Sequence, residues 1–487
     1  MTTRALHRRL TSVDALFLYA EKPTQPMHVG GCLIYEGHVS RDELIRMLQQ
    51  RMHLLPRYRQ KVVFPPFGLA HPTWEDDPDF DIARHVDERT LPEPGDDRAL
   101  SEAGGDAFAG MLDRDRPLWK LCLLQGRADG NTAAVWKIHH AMVDGVSGVD
   151  LTMVLHGLTP ETSTPAEPAS WQPAPLPDAI ALLQSAVQDR LVEAAQFWTQ
   201  EGFRLFRPAE ASNRARQLTQ SLSSSLPSLL KPVPRTPFNA PLSAERRFAW
   251  AELSFTEVRA IRAALGGTVN DVVLTVVAGG LGRYLRAHGH ATEGVELRAM
   301  CPVSMRRPEE RGALGNLVSI MLAPLHVGIL DPVERLAAER GAMEALKRQD
   351  QAAGLYEMTQ LLNSVPPLLQ AIGGALTLPQ TLLNTVSTNV PGPQIPLYLG
   401  PHKLVGWCPL IPLASDIGLC NAILSYNQRL TIGATVDPRL VPDPWFYAEC
   451  LRESFAELLV ASRSAGSGSA ASARAASGNP ASRGAVS

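Results

Sequence analysis

The chain has 487 residues, 45% hydrophobic and 20% charged, which excludes wholesale disorder and gives material for two or three packed domains. Its 46 basic and 49 acidic residues leave a formal net charge of −3, without the basic excess that nucleic-acid binding needs. The six cysteines, Cys32, Cys122, Cys301, Cys408, Cys420 and Cys450, form no C-x-x-C pair, so buried thiols in a reducing compartment are expected rather than a zinc site or a disulfide framework.

The opening MTTRALHRRLTSVDALF lacks a long apolar run, and no secretory signal is expected. Residues 29–35 read as a strand, and 133–140 as a buried strand. Ser147 suits the N-cap of a short helix over 148–155. Residues 159–177, rich in Pro, Ser, Thr and Ala, read as a linker. An amphipathic helix is expected over 178–206, with Ile180, Leu183, Val187, Leu191, Ala194 and Trp198 at helical spacing. Its apolar stripe is expected to pack on the protein body, an interfacial anchor being the other reading. A second connecting stretch covers 212–241. Beyond it, FAWAELSF alternates like a strand, Thr268-x-x-Asp271 resembles a capping box ahead of a helix over 272–285, and 295–303 reads as a strand. Asp331-Pro332 opens another helix, and alternating segments at 422–426 and 430–436 close the pattern. Residues 365–383 are apolar but interrupted by Pro366, Pro367, Gln370, Pro379 and Gln380, so no membrane-crossing helix is expected. The tail from 462 onward has no hydrophobic period and is expected to be disordered.

Strands alternate with helices in both halves. The expected architecture is two α/β (α+β) domains, 1–157 and 241–461, joined by a connector at 158–240 and followed by the 462–487 tail. A cleft between such halves is a favoured place for a ligand.

The segment His139-His140-Ala-Met-Val-Asp144-Gly145 is the richest in chemistry. Neighbours at a strand end point to opposite faces, so only one histidine easily faces a given cleft. Imidazole titrates near working pH and serves as a general base. Asp144, in a Gly-containing turn, suits holding the loop or orienting a ring. Satisfied core or loop histidines are the alternative reading. A metal site lacks a third or fourth ligand at a familiar spacing. A serine hydrolase lacks its G-x-S-x-G elbow, since Gly145-Val-Ser147-Gly148 has the wrong spacing.

HHAMVDG fits the HHxxxDG signature shared by chloramphenicol acetyltransferase and the condensation domains of peptide synthetases. Further segments narrow the match: Asp14-x-x-Phe17, Pro26-Met27-His28-Val29-Gly30-Gly31, Pro117-Leu118-Trp119, Thr268-Val-Asn270-Asp271, Pro302-Val-Ser304-Met-Arg306, Gly315-Asn316 and Ser387-Thr388-Asn389-Val-Pro391-Gly392-Pro393. Together, from about Ser12 to Leu459, the chain resembles the bacterial wax ester synthase/acyl-CoA:diacylglycerol acyltransferase family.

The resemblance implies a two-domain chloramphenicol-acetyltransferase-like fold with a channel between the domains. It implies transfer of a long-chain acyl group from acyl-CoA to a fatty alcohol or diacylglycerol, with no metal or redox cofactor. By motif position His140 is the base, His139 a support for the strand or ring, and Asp144 a structural residue, with Arg57 or Arg59 as its candidate partner. Gly145 completes that motif. Asn270 or a backbone N–H at its helix start is a candidate oxyanion donor, with helix capping as the plain alternative and Asp271 expected to cap. Ser387, Thr388, Asn389 and Ser304 are expected near the substrates, a tight loop being the alternative for the first three. Pro117, Leu118 and Trp119 are expected to support the fold, and Gly30-Gly31 to allow close backbone packing. The expected location is cytoplasmic, with peripheral attachment to a membrane or lipid inclusion left open. A carrier-protein-dependent condensation enzyme and a non-catalytic lipid-binding protein are the rival readings.

Overall fold

The structure is a computed structural model that describes residues 9–143, 152–160, 171–197, 232–304, 318–348, 365–375 and 382–477. In chain order its elements begin with α1 (Ser12–Ala20), β1 (His28–Tyr35), α2 (Arg41–Arg51), β2 (Gln60–Val63), β3 (Thr73–Asp76), β4 (Val86–Thr90), α3 (Asp97–Ala109), β5 (Trp119–Gln125), β6 (Thr132–His139) and α4 (Ala179–Phe197). They continue with β7 (Arg247–Ser254), α5 (Phe255–Leu265), α6 (Val269–Ala287), β8 (Leu297–Ser304), β9 (Val318–Leu325), α7 (Pro332–Arg348), α8 (Pro367–Ala375) and β10 (Thr385–Pro391). The last are β11 (Tyr398–Leu399), β12 (His402–Leu410), β13 (Leu419–Tyr426), β14 (Arg429–Val436) and α9 (Pro444–Ser477).

Two six-stranded mixed sheets organise these elements, in the orders β11-β12-β1-β6-β5-β4 and β7-β14-β13-β10-β8-β9. The first sheet draws strands from both expected halves of the chain. Residues 398–410 lie inside the span expected as one C-terminal domain, yet β12 pairs antiparallel with β1, with Cys408 opposite Cys32. The alternation within β12 is equally compatible with either sheet, so only the tertiary pairing assigns it.

Helix α3 joins the halves from the other side. Ser101 donates its hydroxyl to the Phe248 carbonyl. A Cβ on Gly105 would lie 2.2 Å from the Arg246 carbonyl oxygen, so the close approach of α3 to β7 requires glycine there. Leu100, Phe108 and Val135 share one apolar cluster with Phe248, Trp250 and Leu410.

The second half is built around α6, which is buried along nearly its whole length. Thr268 and Asp271 cap it reciprocally, the Asp271 N–H donating to Thr268 Oγ1 at 3.2 Å and the Thr268 N–H to Asp271 Oδ2 at 2.7 Å. Asp331 caps α7 through the N–H groups of Val333 and Glu334. Strand β13 is buried at every position, because it lies inside the sheet with both faces covered, and not half-exposed as alternation would have it.

Two further expectations change. Helix α4 docks through Leu182 and Ala186, and through Ser185 and Asp189, which bond Arg9. The predicted stripe therefore turns outward, with Ile180 66%, Val187 48% and Leu191 67% exposed. The rest of that helix, 198–206, lies outside the described residues, as do Ser147, residues 148–151 of the short helix after it and residues 161–170 of the linker; residues 152–155 of that short helix are helical as expected. Helix α9 runs past Ser462 to Ser477, through residues expected to be disordered; their alanine content favours continuing a helix already formed. All six cysteines are free and buried.

Candidate active site

Strand β6 is buried at every position and delivers the histidine pair at its C-terminal end. The His139 N–H donates to the Leu118 carbonyl at 2.9 Å, the His140 N–H to the Met27 carbonyl at 2.8 Å, and the Met142 N–H back to the His139 carbonyl at 2.9 Å. The turn is thus held by the segment before β5 and by the segment before β1. This gives Leu118 a structural task. Trp119 is also buried, donating Nε1–H to the Tyr58 carbonyl and stacking on His85.

The two rings have different surroundings. His139 is fully buried, and its Nδ1 accepts the Ala141 N–H at 3.1 Å. The proton therefore sits on Nε2, which faces Glu21 Oε1 at 3.5 Å. Glu21, the residue after α1, also accepts the Met27 N–H at 3.2 Å and Arg114 Nη2–H at 2.9 Å. Burial alone would raise its carboxyl. The nearby His139 ring and the bonds from Arg114 and Met27 outweigh burial and hold it at about 2 against an ordinary 4.5. Behind this pair, His28 donates from Nε2 to the Phe108 carbonyl. Burial, then the Lys137 ammonium, keeps His28 well below its ordinary value and neutral.

His140 is only partly buried. Its ring lies flat against Phe17 of α1, with centroids 3.9 Å apart and planes 7° from parallel. Phe17 and Glu21 are one helical turn apart, so α1 addresses both histidines from one side. Sequence reading missed Glu21 and Arg114 altogether. The available signal was Glu21 standing four residues after Phe17, on the segment that leads into Pro26-Met27-His28.

The second half meets this turn through β10. Val390 packs in the same apolar cluster as Ile138, Met142 and Val143. Next to it, Asn389 donates Nδ2–H to Asn270 Oδ1 at 3.4 Å, linking β10 to the first turn of α6. Ser387 is buried and shares a strand face with Asn389, whereas Thr388 points to the opposite face with Val390. Asp271 closes the capping box. Asp144, Gly145 and the side chain of Ser304 lie outside the described residues, and with them the proposed ion pair of Asp144. Its two candidate partners sit on aromatic rings: Arg57 4.8 Å from the Trp74 centroid and Arg59 4.4 Å from that of Trp171. Burial lowers Arg57 to about 10 against the pull of Asp14.

A two-sheet fold whose first sheet takes two strands, β11 and β12, from the second half, and a histidine pair, one fully and one partly buried, where the halves meet, are the features of an acyltransferase of the HHxxxDG type. The comparisons are specific. Residues 10–273 match the wax ester synthase/diacylglycerol acyltransferase catalytic domain and residues 314–459 the WS/DGAT C-terminal domain. A Mycobacterium tuberculosis protein named "putative diacyglycerol O-acyltransferase" is 32% identical over 473 residues, covering 93% of this chain and 91% of its own. The wax ester synthase/diacylglycerol acyltransferase from Marinobacter aquaeolei VT8 superposes with a TM-score of 0.64 at 26% identity, covering 93% of this chain and 99% of its own. The first condensation domain of the calcium-dependent antibiotic synthetase shares the fold, with a TM-score of 0.59 at 16% identity and coverage of 94% and 96%. The chain belongs to the wax ester synthase/diacylglycerol acyltransferase family and is an acyltransferase enzyme.

Proposed function

We propose that the chain moves a long-chain acyl group from acyl-CoA to the hydroxyl of a fatty alcohol or a diacylglycerol, with His140 as the general base. The observation that carries this is the asymmetry of the histidine pair. His139 is committed to Glu21 and the Ala141 N–H, while His140 is partly exposed and stacks its ring face on Phe17. Stacking fixes the plane of the ring and so the direction in which its edge can exchange a proton.

In the reaction, His140 takes the proton from the acceptor hydroxyl as its oxygen attacks the thioester carbonyl. The C–O bond forms, a tetrahedral oxyanion develops, and the C–S bond breaks. The same imidazole then protonates the leaving thiolate, so ester and free CoA thiol form without an acyl-enzyme. Asn270 and Asn389 bond each other at the start of α6, and one amide of this pair, or an N–H of the helix start, is our candidate oxyanion donor. Both substrates supply all the reacting atoms, and the proposal needs no metal or redox cofactor. We further propose a cytoplasmic enzyme that meets its apolar acceptors at a membrane or lipid-inclusion surface.

Thiol release from palmitoyl-CoA tests the proposal, with hexadecanol, with dipalmitoylglycerol, and without acceptor. Wild type is expected to release thiol only with acceptor, and His140→Ala to lose at least a thousandfold in kcat while keeping its circular dichroism spectrum. Release without acceptor would make the chain a thioesterase, and an active His140→Ala would remove His140 as the base.

A further inference from the structure

Two short stretches of this molecule are built inside out. In α8 the polar Gln370 points inward, 5% exposed, with Nε2–H on the Val365 carbonyl at 2.9 Å. Leu368, Leu369 and Ile372 face outward at 51%, 56% and 52% exposure. A helix packed in water shows the reverse pattern. In the turn at 66–68, Phe67 is 82% exposed and has a positive φ of 60°, a conformation that costs a non-glycine residue and is sustained only by its surroundings. The turn and the helix touch: a Cβ on Gly68 would lie 3.5 Å from Leu368 Cδ1. The same turn lies against α4, whose apolar stripe also faces outward. Three adjacent elements therefore present one exposed apolar surface, larger than scattered surface leucines would make.

The chemistry of this surface selects its occupant. No Asp, Glu, Lys, Arg or His occurs between Glu357 and His402, and only His71 between Lys61 and Glu75. Covering α8 and the turn with hydrocarbon therefore desolvates no charge, whereas a protein partner would be met by a polar rim. Arg59, seven residues before Pro66 in the chain, lies on the Trp171 ring at 4.4 Å, and these two residue types settle at a lipid–water boundary. No single helix among the described residues is long and apolar enough to cross a membrane. The surface is also continuous with the active site. Helix α8 packs on α1, where a Cβ on Gly374 would lie 2.9 Å from Tyr19 Cβ, and α1 carries Phe17 against His140.

We propose that α8, the Phe67 turn and the outer face of α4 form a docking surface for a lipid bilayer, seated one helix away from His140 so that an apolar acceptor enters from the lipid phase. This rests on the acyl-transfer reading for its purpose, and on the exposed surface alone for its location.

The test uses the full chain, flotation with phosphatidylcholine vesicles with and without 10% dioleoylglycerol (roughly the composition at which substrate is held in the bilayer rather than in water), and two variants. One is Leu368→Ser/Leu369→Ser/Ile372→Ser. The other is Phe67→Asn, chosen because Asn tolerates the left-handed conformation and so protects the fold. Each variant is expected to lower the vesicle-bound fraction about tenfold or more and to raise KM for vesicle-held dioleoylglycerol, with kcat/KM for monomeric decanoyl-CoA and hexanol within about twofold of wild type. Wild-type flotation of both variants would overturn the docking surface. So would a wild-type dimer that the triple variant converts to monomer, since the covering partner would then be a second copy. Vesicle binding that the variants lose, in a protein inactive with every acceptor, would uphold the surface and overturn acyl transfer instead.

Discussion

Replacing Glu21 by Gln probes the buried support of the histidine turn. Holding this carboxyl at about 2 instead of 4.5 corresponds to about 3 kcal/mol, at roughly 1.4 kcal/mol per tenfold. The folded pKa is lowered. The stabilisation is therefore complete above the unfolded value of 4.5, and it is lost as pH falls through 4.5 toward 2. Gln keeps the shape but cannot titrate, so the gap between wild type and Glu21→Gln should be widest near pH 6 and about half as wide at pH 3. Urea denaturation at pH 6, 4 and 3 reads that gap directly. The variant should also lose activity, because His139 Nε2–H and Arg114 would both face a neutral amide and the turn that presents His140 would loosen. A stability gap that does not change with pH would refute the account of Glu21 as an ionised partner of His139 and Arg114.

Three other outcomes follow from the geometry. Thr268→Ala removes half of the capping box on α6 and should cost about 1 kcal/mol, read as a lower urea midpoint with an unchanged m-value. Gly30→Ala would set a Cβ 1.9 Å from the Trp136 carbonyl oxygen; the β1–β6 pairing cannot accept it, and the variant should unfold at much lower temperature or fail to accumulate in soluble form. Phe17→Leu keeps apolar bulk but loses the stack on His140, worth about 1 kcal/mol, so kcat should drop about fivefold with the melting temperature nearly unchanged.

Much of the molecule is set by patterns that act locally. The capping box at Thr268 and Asp271, the Asp331-Pro332 helix start, and the buried run ending at His139 each depend on a few adjacent residues, so spacing in the chain is enough to place them. The division of labour between the histidines is half local. Alternation at a strand end separates their faces, but nothing in the sequence says that Glu21 and Arg114 are what His139 meets, since neither is its neighbour in the chain.

The tertiary structure alone decided the rest. Strand β12 carries a pattern that either sheet would accept, and it joins the first because its partner β1 offers the matching register. The stripe on α4 was legible as a stripe, yet periodicity identifies an apolar face without saying what lies opposite it. Arg9, held to Ser185 and Asp189, anchors the helix by its other side and turns that stripe outward. A sequence by itself thus fixes which residues share a face, because that depends on the repeat of a single element. Whether the face meets protein, water or lipid depends on elements far apart in the chain, and only their packing determines it.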